Sequence, residues 1–359
     1  MYPPPSHRPT NPVPGYHSVT AYKIPMDQAD AIVKTCSYHM NDFDRAVIWF
    51  PSGTHSGAAP VPLVSRECLS PLGDLDKLPL ELIQCICLQL DMLSLFHLRQ
   101  TSSRARQVIN ALHEYKVTAT HALDAFCALL WTRSASRVTV SEFYKLLCTA
   151  NCSICRGQYG NLVFLPTWIR CCSRCLWYNA PQLRVASVTY VKRTLELSKK
   201  SLANLPTVTL LPLPAIYPME KRPSATIVST YSAALEYVAK NSGSTSIEEA
   251  LDKLFDSSHI RYMACCALPT YDPQSLQVEY GVSCAGCQLA LECDIITGEL
   301  GADVRDMVYS REGFLKHFIW CEKAQLLWTE SVNGAVEPKS MPAVCKEGSH
   351  LLWRGKRRG

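Results

Sequence analysis

Five cysteines fall within twenty-four residues in the stretch CSICRGQYGNLVFLPTWIRCCSRC, from Cys152 to Cys175, and four of them form two C-x-x-C pairs. A C-x-x-C turn brings two sulfurs to one side of a tight bend. Two such bends facing each other make the tetrahedral four-thiolate cage that zinc accepts. Sixteen residues separate the pairs, inside the spacing class of zinc sites built from two knuckles. The expected ligands are Cys152, Cys155, Cys172 and Cys175. Cys171 competes with Cys172 for the third place, and Cys172 is favoured because it restores the two-residue spacing.

Other thiol chemistry fits less well. A thioredoxin-like couple needs one C-x-x-C opening a helix within a βαβ unit, and no such pattern surrounds either pair. A cysteine nucleophile needs a base and an orienting group, yet residues 139–180 contain no histidine. A second constellation lies in SCAGC and YSREGFLKHFIWCEKAQLLW. There Cys284 and Cys287 form a knuckle, and His317 and Cys321 stand four apart, a spacing that shares one helix face. These four are the expected ligands of a Cys-Cys-His-Cys zinc site, so two structural zinc ions are expected in all. Twenty-nine residues separate Cys287 from His317, where DNA-reading fingers have about twelve, which points to a staple and not to a groove reader. Cys265, Cys266 and Cys293 are spare thiols, expected in the core, although any of them could replace a named ligand.

The elements that must position these ligands can be read around them. TVSEFYKLLC reads as a helix with Thr139 and Glu142 at capping-box spacing, and NLVFLPTWIR is rich in β-forming residues, suiting two short strands between the knuckles. Ser310 suits the N-cap of the helix carrying His317, with Phe314, Phe318 and Leu326 spaced to pack it inward. Ser246 and Glu249 make another capping box, and Gly243 suits a helix end. No Gly-rich phosphate loop, G-x-S-x-G or H-E-x-x-H occurs.

Upstream, residues 76–116 read as three short helices. Pro79 suits a first helical position, Asp91 can cap the second helix, and Ser102 or Ser103 the third. The first helix is apolar nearly all round, with only Glu81, Gln84 and Gln89 polar. Such a helix must be covered on more than one side, by this chain or by another protein. The run Leu78, Pro79, Glu81, Leu82, Ile86, Leu90, Leu95, Leu98, Ser103 and Arg104 resembles an F-box. That resemblance implies a three-helix unit docking onto a Skp-type adaptor, and through it onto a cullin ubiquitin ligase, while the rest of the chain selects a protein substrate. It also implies that Leu78, Pro79, Leu82, Ile86, Leu90 and Leu95 supply the adaptor contact. With CSIC, CCSRC and the C-terminal YSREGF segment in this order, residues 74–330 resemble the large group of F-box proteins found in filamentous fungi.

At 359 residues the chain should hold two or three folding units, and its composition, 47% hydrophobic and 19% charged, is that of an ordinary globular protein. The expected fold is mainly α with small β elements. A disordered or linker region (1–73) precedes the F-box (74–118), a four-cysteine zinc ribbon-like module (119–182), a Pro-rich linker with a helix (183–245), a Cys-Cys-His-Cys zinc module (246–335) and a basic tail (336–359). The start has neither the basic nor the apolar region of a secretory signal, so a reduced cytoplasmic or nuclear setting is expected, where closely spaced thiols more often hold metal than pair. A net charge of +5 is well short of a strongly basic nucleic-acid domain. The reading that follows is a non-catalytic substrate receptor. The alternative, a zinc-dependent nucleic-acid or chromatin-binding protein, rests on the RGKRRG tail and the two metal sites.

Overall fold

The computed structural model describes residues 11–50, 71–210, 226–241, 245–254 and 259–349. Among them no helix is long and apolar enough to cross a membrane. The basic RGKRRG tail, the Gly243 cap and most of the linker before Leu72 lie outside the described residues.

The first ordered stretch runs through helix α1 (Ala29–Cys36), strand β1 (Ser37–Tyr38) and helix α2 (Asn41–Arg45). Helix α1 places Ala29, Ile32 and Cys36 on one buried stripe. The helical region follows with α3 (Leu80–Gln89), α4 (Met92–Thr101), α5 (Ser103–Ala111), α6 (His113–His121), α7 (Leu123–Trp131) and α8 (Val140–Leu147). Local chemistry sets several of these starts. The Asp91 carboxylate accepts from the Ser94 N–H, Ser102 does the same for Ala105, and Thr139 with Glu142 closes a capping box. Pro79 stands one residue ahead of α3, as its N-cap.

Strands β2 (Leu162–Phe164) and β3 (Ile169–Cys171) form the expected hairpin, which turns at Trp168 and leads into helix α9 (Ser173–Trp177). A small layer follows: β4 (Val185–Ser187), α10 (Val188–Thr194), α11 (Lys199–Asn204), β5 (Thr207–Thr209), β6 (Thr226–Ser229), α12 (Thr230–Lys240) and α13 (Ile247–Lys253). Its sheet has the order β4-β6-β5, and Ala186, Val191, Leu195, Val228, Ala233 and Leu254 bury a core of their own. Here the structure corrects the expected linker over 183–245. Residues 185–187 pair with 227–229 across strands that are distant in sequence, which local patterns do not reveal.

Strand β7 (Cys265–Ala267) returns to pair with β2, so the hairpin is completed from about a hundred residues downstream. The hairpin β8 (Thr270–Asp272) and β9 (Gln277–Glu279) leads to β10 (Ser283–Cys284) and then to α14 (Ala285–Glu292), α15 (Gly298–Arg305), α16 (Arg311–Phe318), α17 (Glu322–Glu330) and α18 (Ala343–Glu347).

Two large cores organise these elements. The first joins Ile83 and Cys87 of α3, Met92 and Leu95 of α4, and Ile109 of α5 to Phe126, Phe143, Phe164 and Cys265. The three-helix unit therefore shares its interior with the first cysteine module, and 265–271 belong with them and not with the C-terminal module. Backbone bonds from Met92 N–H to Val138 and from Val140 N–H to Leu90 fix that union. The second core packs Tyr16, Ile24, Ile32 and Cys36 against Cys287, Phe314, Phe318, Leu327 and Trp328. Residues 11–50, expected as disordered or linker chain, are thus folded. Their own apolar pattern is too short to announce a core: Tyr16 to Met40 are ordered by residues near the other end of the chain, while Val47, Ile48 and Phe50 join the first core, the Ile48 N–H donating to the Cys265 carbonyl at 2.8 Å.

Candidate metal centres and the helical docking face

The first knuckle turns at Cys152–Cys155. Arg156 takes a positive φ of 57°, and the Arg156 N–H closes on the Cys152 carbonyl at 2.9 Å. The second is the start of α9, where Cys172 is the N-cap and its Sγ accepts from the Cys175 N–H at 3.4 Å. The buried Asn161 clamps this start, accepting from the Ser173 N–H at 3.0 Å and donating to the Ser173 hydroxyl at 2.7 Å. A carboxamide at position 161 carried no signal in the sequence, because nothing local marks it as a brace.

Hairpin and knuckles bring Cys152, Cys155, Cys172 and Cys175 together, all sulfurs within 4.8 Å of one another. The Cys152–Cys175 and Cys155–Cys172 separations are both 3.9 Å. A tetrahedron with metal–sulfur bonds of about 2.3 Å has edges of about 3.8 Å, so the group fits a metal ion without rearrangement. Strand alternation decides between the adjacent cysteines. Cys171 pairs with Leu162 on β3 and points into the core, where its thiol meets Cys265, while Cys172 turns to the tetrad.

In the second group Cys284 ends β10 and caps α14, Cys287 lies in the first turn of α14, His317 lies near the end of α16, and Cys321 caps α17. The single helix expected to carry both His317 and Cys321 is broken after Phe318, although the Cys321 N–H still reaches the His317 carbonyl at 3.2 Å. Ser310 caps α16 as expected, and Phe314 and Phe318 are buried, but Leu326 is exposed on α17. The Cys284–Cys321 sulfurs are 3.8 Å apart, and His317 Nε2 is 3.2 Å from Cys287 Sγ. Gly286, inside the knuckle, allows α14 and α17 to touch, since a Cβ there would lie 2.2 Å from the Ala324 nitrogen. The spare thiols Cys265 and Cys266 are core residues of β7, and Cys293 is exposed.

Electrostatics explains why both groups call for a cation. The hydrogen bond from Cys172, aided by the Cys155 and Ile154 N–H groups against the effect of burial, pushes Cys152 down to about 4. The same sharing with Cys152 raises Cys172, and burial pushes Cys175 up to about 12. In the second group Cys284 and Cys287 donate to Cys321 and lower it, while burial raises Cys284 and Cys287. Burial works to lower His317, but the Cys287 and Cys321 charges outweigh it and raise the imidazole. Each cluster readily supports one thiolate. Four thiolates in the first group, or three thiolates beside an imidazole in the second, lie too close to persist together without a divalent ion among them, and binding one releases the remaining protons. Each group could therefore hold one metal ion.

The third candidate site is the face of α3. Only Ile83 and Cys87, at i and i+4, turn into the core. Leu78, Leu80, Leu82 and Ile86 remain 37, 42, 51 and 45% exposed, beside the exposed Pro79. Leu90 is half-buried, and Leu95 is 0% exposed in the first core, so the expectation that Leu95 meets a partner does not hold: α4 turns it inward into the same core as Ile83. A family model for the F-box domain matches residues 75–116. This segment is an F-box. Domains of this family usually bind Skp-type adaptors, and F-box proteins are generally non-catalytic. No curated protein and no solved structure matches the chain.

Proposed function

We propose that this F-box protein is the substrate-receptor subunit of an SCF-type (Skp, cullin, F-box) ubiquitin ligase, working in the cytoplasm or nucleus. One observation carries the reading: four large apolar side chains, Leu78, Leu80, Leu82 and Ile86, stand exposed within nine residues of the F-box, on a segment that Ile83 and Cys87 anchor in the core. Exposed apolar runs of this kind mark partner sites. The Skp-type adaptor covers Leu78, Pro79, Leu82 and Ile86, with Leu90 at the edge, and bridges to a cullin.

Zinc is the metal that the two donor sets favour, four thiolates in one and three thiolates with an imidazole in the other, both closed by protein ligands. Such filled sites are staples and have no open position for activating water, in keeping with a non-catalytic role. Cys152, Cys155, Cys172 and Cys175 would hold one ion, and Cys284, Cys287, His317 and Cys321 the other. Together they stiffen the region that presents a protein substrate.

Affinity capture of the full chain tests the adaptor contact. Truncating Leu82 and Ile86 to Ala removes about 3–5 kcal/mol of burial, a loss of about 100-fold or more in adaptor affinity. The unaltered chain should recover a Skp-type adaptor and a cullin and become soluble on co-expression with the adaptor. Equal recovery by the double variant would refute the reading.

A further inference from the structure

The second metal centre is not closed by its own module. Residues 13–24 cross over it as a strap. The Tyr16 hydroxyl lies 3.2 Å from Cys287 Sγ, and its ring is only 4% exposed. From Tyr16 onward the backbone is tied to the segment that carries the last ligand. The Glu322 N–H donates to the Tyr16 carbonyl at 2.9 Å, the Ser18 N–H to Trp320 at 2.9 Å and the Tyr22 N–H to Ile319 at 3.1 Å, while His17 bridges to Cys321. Side chains reinforce the seating: the Ser18 hydroxyl donates to Gln325 at 2.8 Å, and the Tyr22 ring meets Phe318 edge-on at 5.2 Å. The positive φ of 76° at Gly15 turns the chain into the strap.

We infer that this N-terminal strap is the closure of the Cys-Cys-His-Cys centre and that Tyr16 is its outer-sphere ligand, donating its O–H to the Cys287 sulfur. The inference rests on the zinc reading above. A metal-bound thiolate leaves its centre by protonation or by attack from a competing ligand, and both need access to the sulfur. A hydroxyl held against Cys287 draws charge from that sulfur and occupies the approach to it. Outer-sphere partners of this kind typically change metal affinity by about 10–100-fold. Among the described residues the first centre has no such cover: Cys155 is exposed and Cys175 half-buried, and backbone N–H groups, those of Ile154, Cys155 and Cys175, donate to its sulfurs. The two centres therefore differ in lability. The ion of the four-cysteine centre leaves first, and the other leaves at a rate set by a tyrosine 271 positions upstream of Cys287.

Release from the purified full chain, co-expressed with its adaptor, tests this. Metal content is measured first. A colorimetric chelator then follows release while pulses of iodoacetamide, read by peptide mass spectrometry, show which cysteines become free. The expected course has a fast phase freeing Cys152, Cys155, Cys172 and Cys175 and a slow phase freeing Cys284, Cys287 and Cys321. Tyr16→Phe keeps the ring and loses the donor, so it should speed the slow phase about 10-fold and leave the fast one unchanged. Tyr22→Phe, on the same strap but away from the sulfurs, should change neither. An unchanged slow phase in Tyr16→Phe, equal acceleration of both phases, or a single phase in the unaltered chain would each overturn the closure with the zinc reading intact. A chain that holds no metal would overturn both.

Discussion

Arg170 is a demanding place to test how the first core is held. It stands on β3 between the two knuckles, is fully buried, and pairs with no carboxylate among the described residues. Its guanidinium donates instead to the carbonyls of Leu146 at 3.3 Å, Leu268 at 3.1 Å, Pro269 at 2.6 Å and Gly160, and to the Thr270 hydroxyl at 3.2 Å. The Thr270 hydroxyl passes the chain on to Tyr159 at 3.1 Å, which donates to the Glu279 carbonyl at 2.5 Å. One side chain therefore ties the end of α8, the first knuckle and the strands returning from β7. Burial lowers its pKa to about 10, so it stays a cation at neutral pH. Hydrogen bonds from a charged donor contribute about 1.5–3 kcal/mol each, and taking the guanidinium out of water offsets several kcal/mol of the total. Arg170→Met leaves carbonyls from three segments without their donor, and the expected loss is about 3–5 kcal/mol. Arg170→Lys keeps the charge but replaces the planar fork by one compact ammonium that cannot span these acceptors, so it should lose a comparable amount. Urea unfolding at a fixed free zinc concentration measures both, since bound metal shifts the apparent stability. If Arg170→Met unfolds within about 1 kcal/mol of the unaltered chain, well under the loss expected from stranding its acceptors, the network does not hold the module together.

Four further outcomes follow from neighbouring observations. Ile83→Ala on the buried stripe of α3 should cost about 2–5 kcal/mol of stability, whereas Leu82→Ala should change thermal unfolding little and weaken adaptor capture. Gly286→Ala places a methyl against the Ala324 backbone, and the α14–α17 contact must open, seen as loss of bound metal from the second centre and a lower melting temperature. Cys152→Ser should reduce the metal content by one ion and raise amide exchange over residues 150–180, with little change over 284–321. The His39 imidazole lies 2.7 Å from Asp44 and 3.2 Å from the Gly281 carbonyl. Burial acts to lower its pKa, but the Asp44 hydrogen bond and charge outweigh it, with the Gly281 carbonyl adding to them, so the folded value is raised. The stabilisation is then fully present below the unfolded value of about 6.5 and is lost as pH rises through the raised folded value. Asp44→Asn should destabilise the chain at pH 6 and progressively less above it, and a deficit that grew with pH would contradict the assignment.

The sequence alone determined what depends on neighbours within a turn or two. Cys152 with Cys155, Cys172 with Cys175, and Cys284 with Cys287 are placed by bends of four residues, and the caps at Asp91, Ser102, Thr139, Ser246 and Ser310 act over three. The F-box was legible for the same reason, since short helices carry their leucines at fixed spacing. Tertiary structure alone decided which face of each element is spent inside. It turned Leu95 into the core and left Leu82 in water, sent Cys171 to Cys265 and Cys172 to the tetrad, brought β7 to β2 and laid Tyr16 on Cys287. Those choices are settled by the area buried between segments far apart in the chain, and no local pattern encodes which distant partner will cover a given stripe.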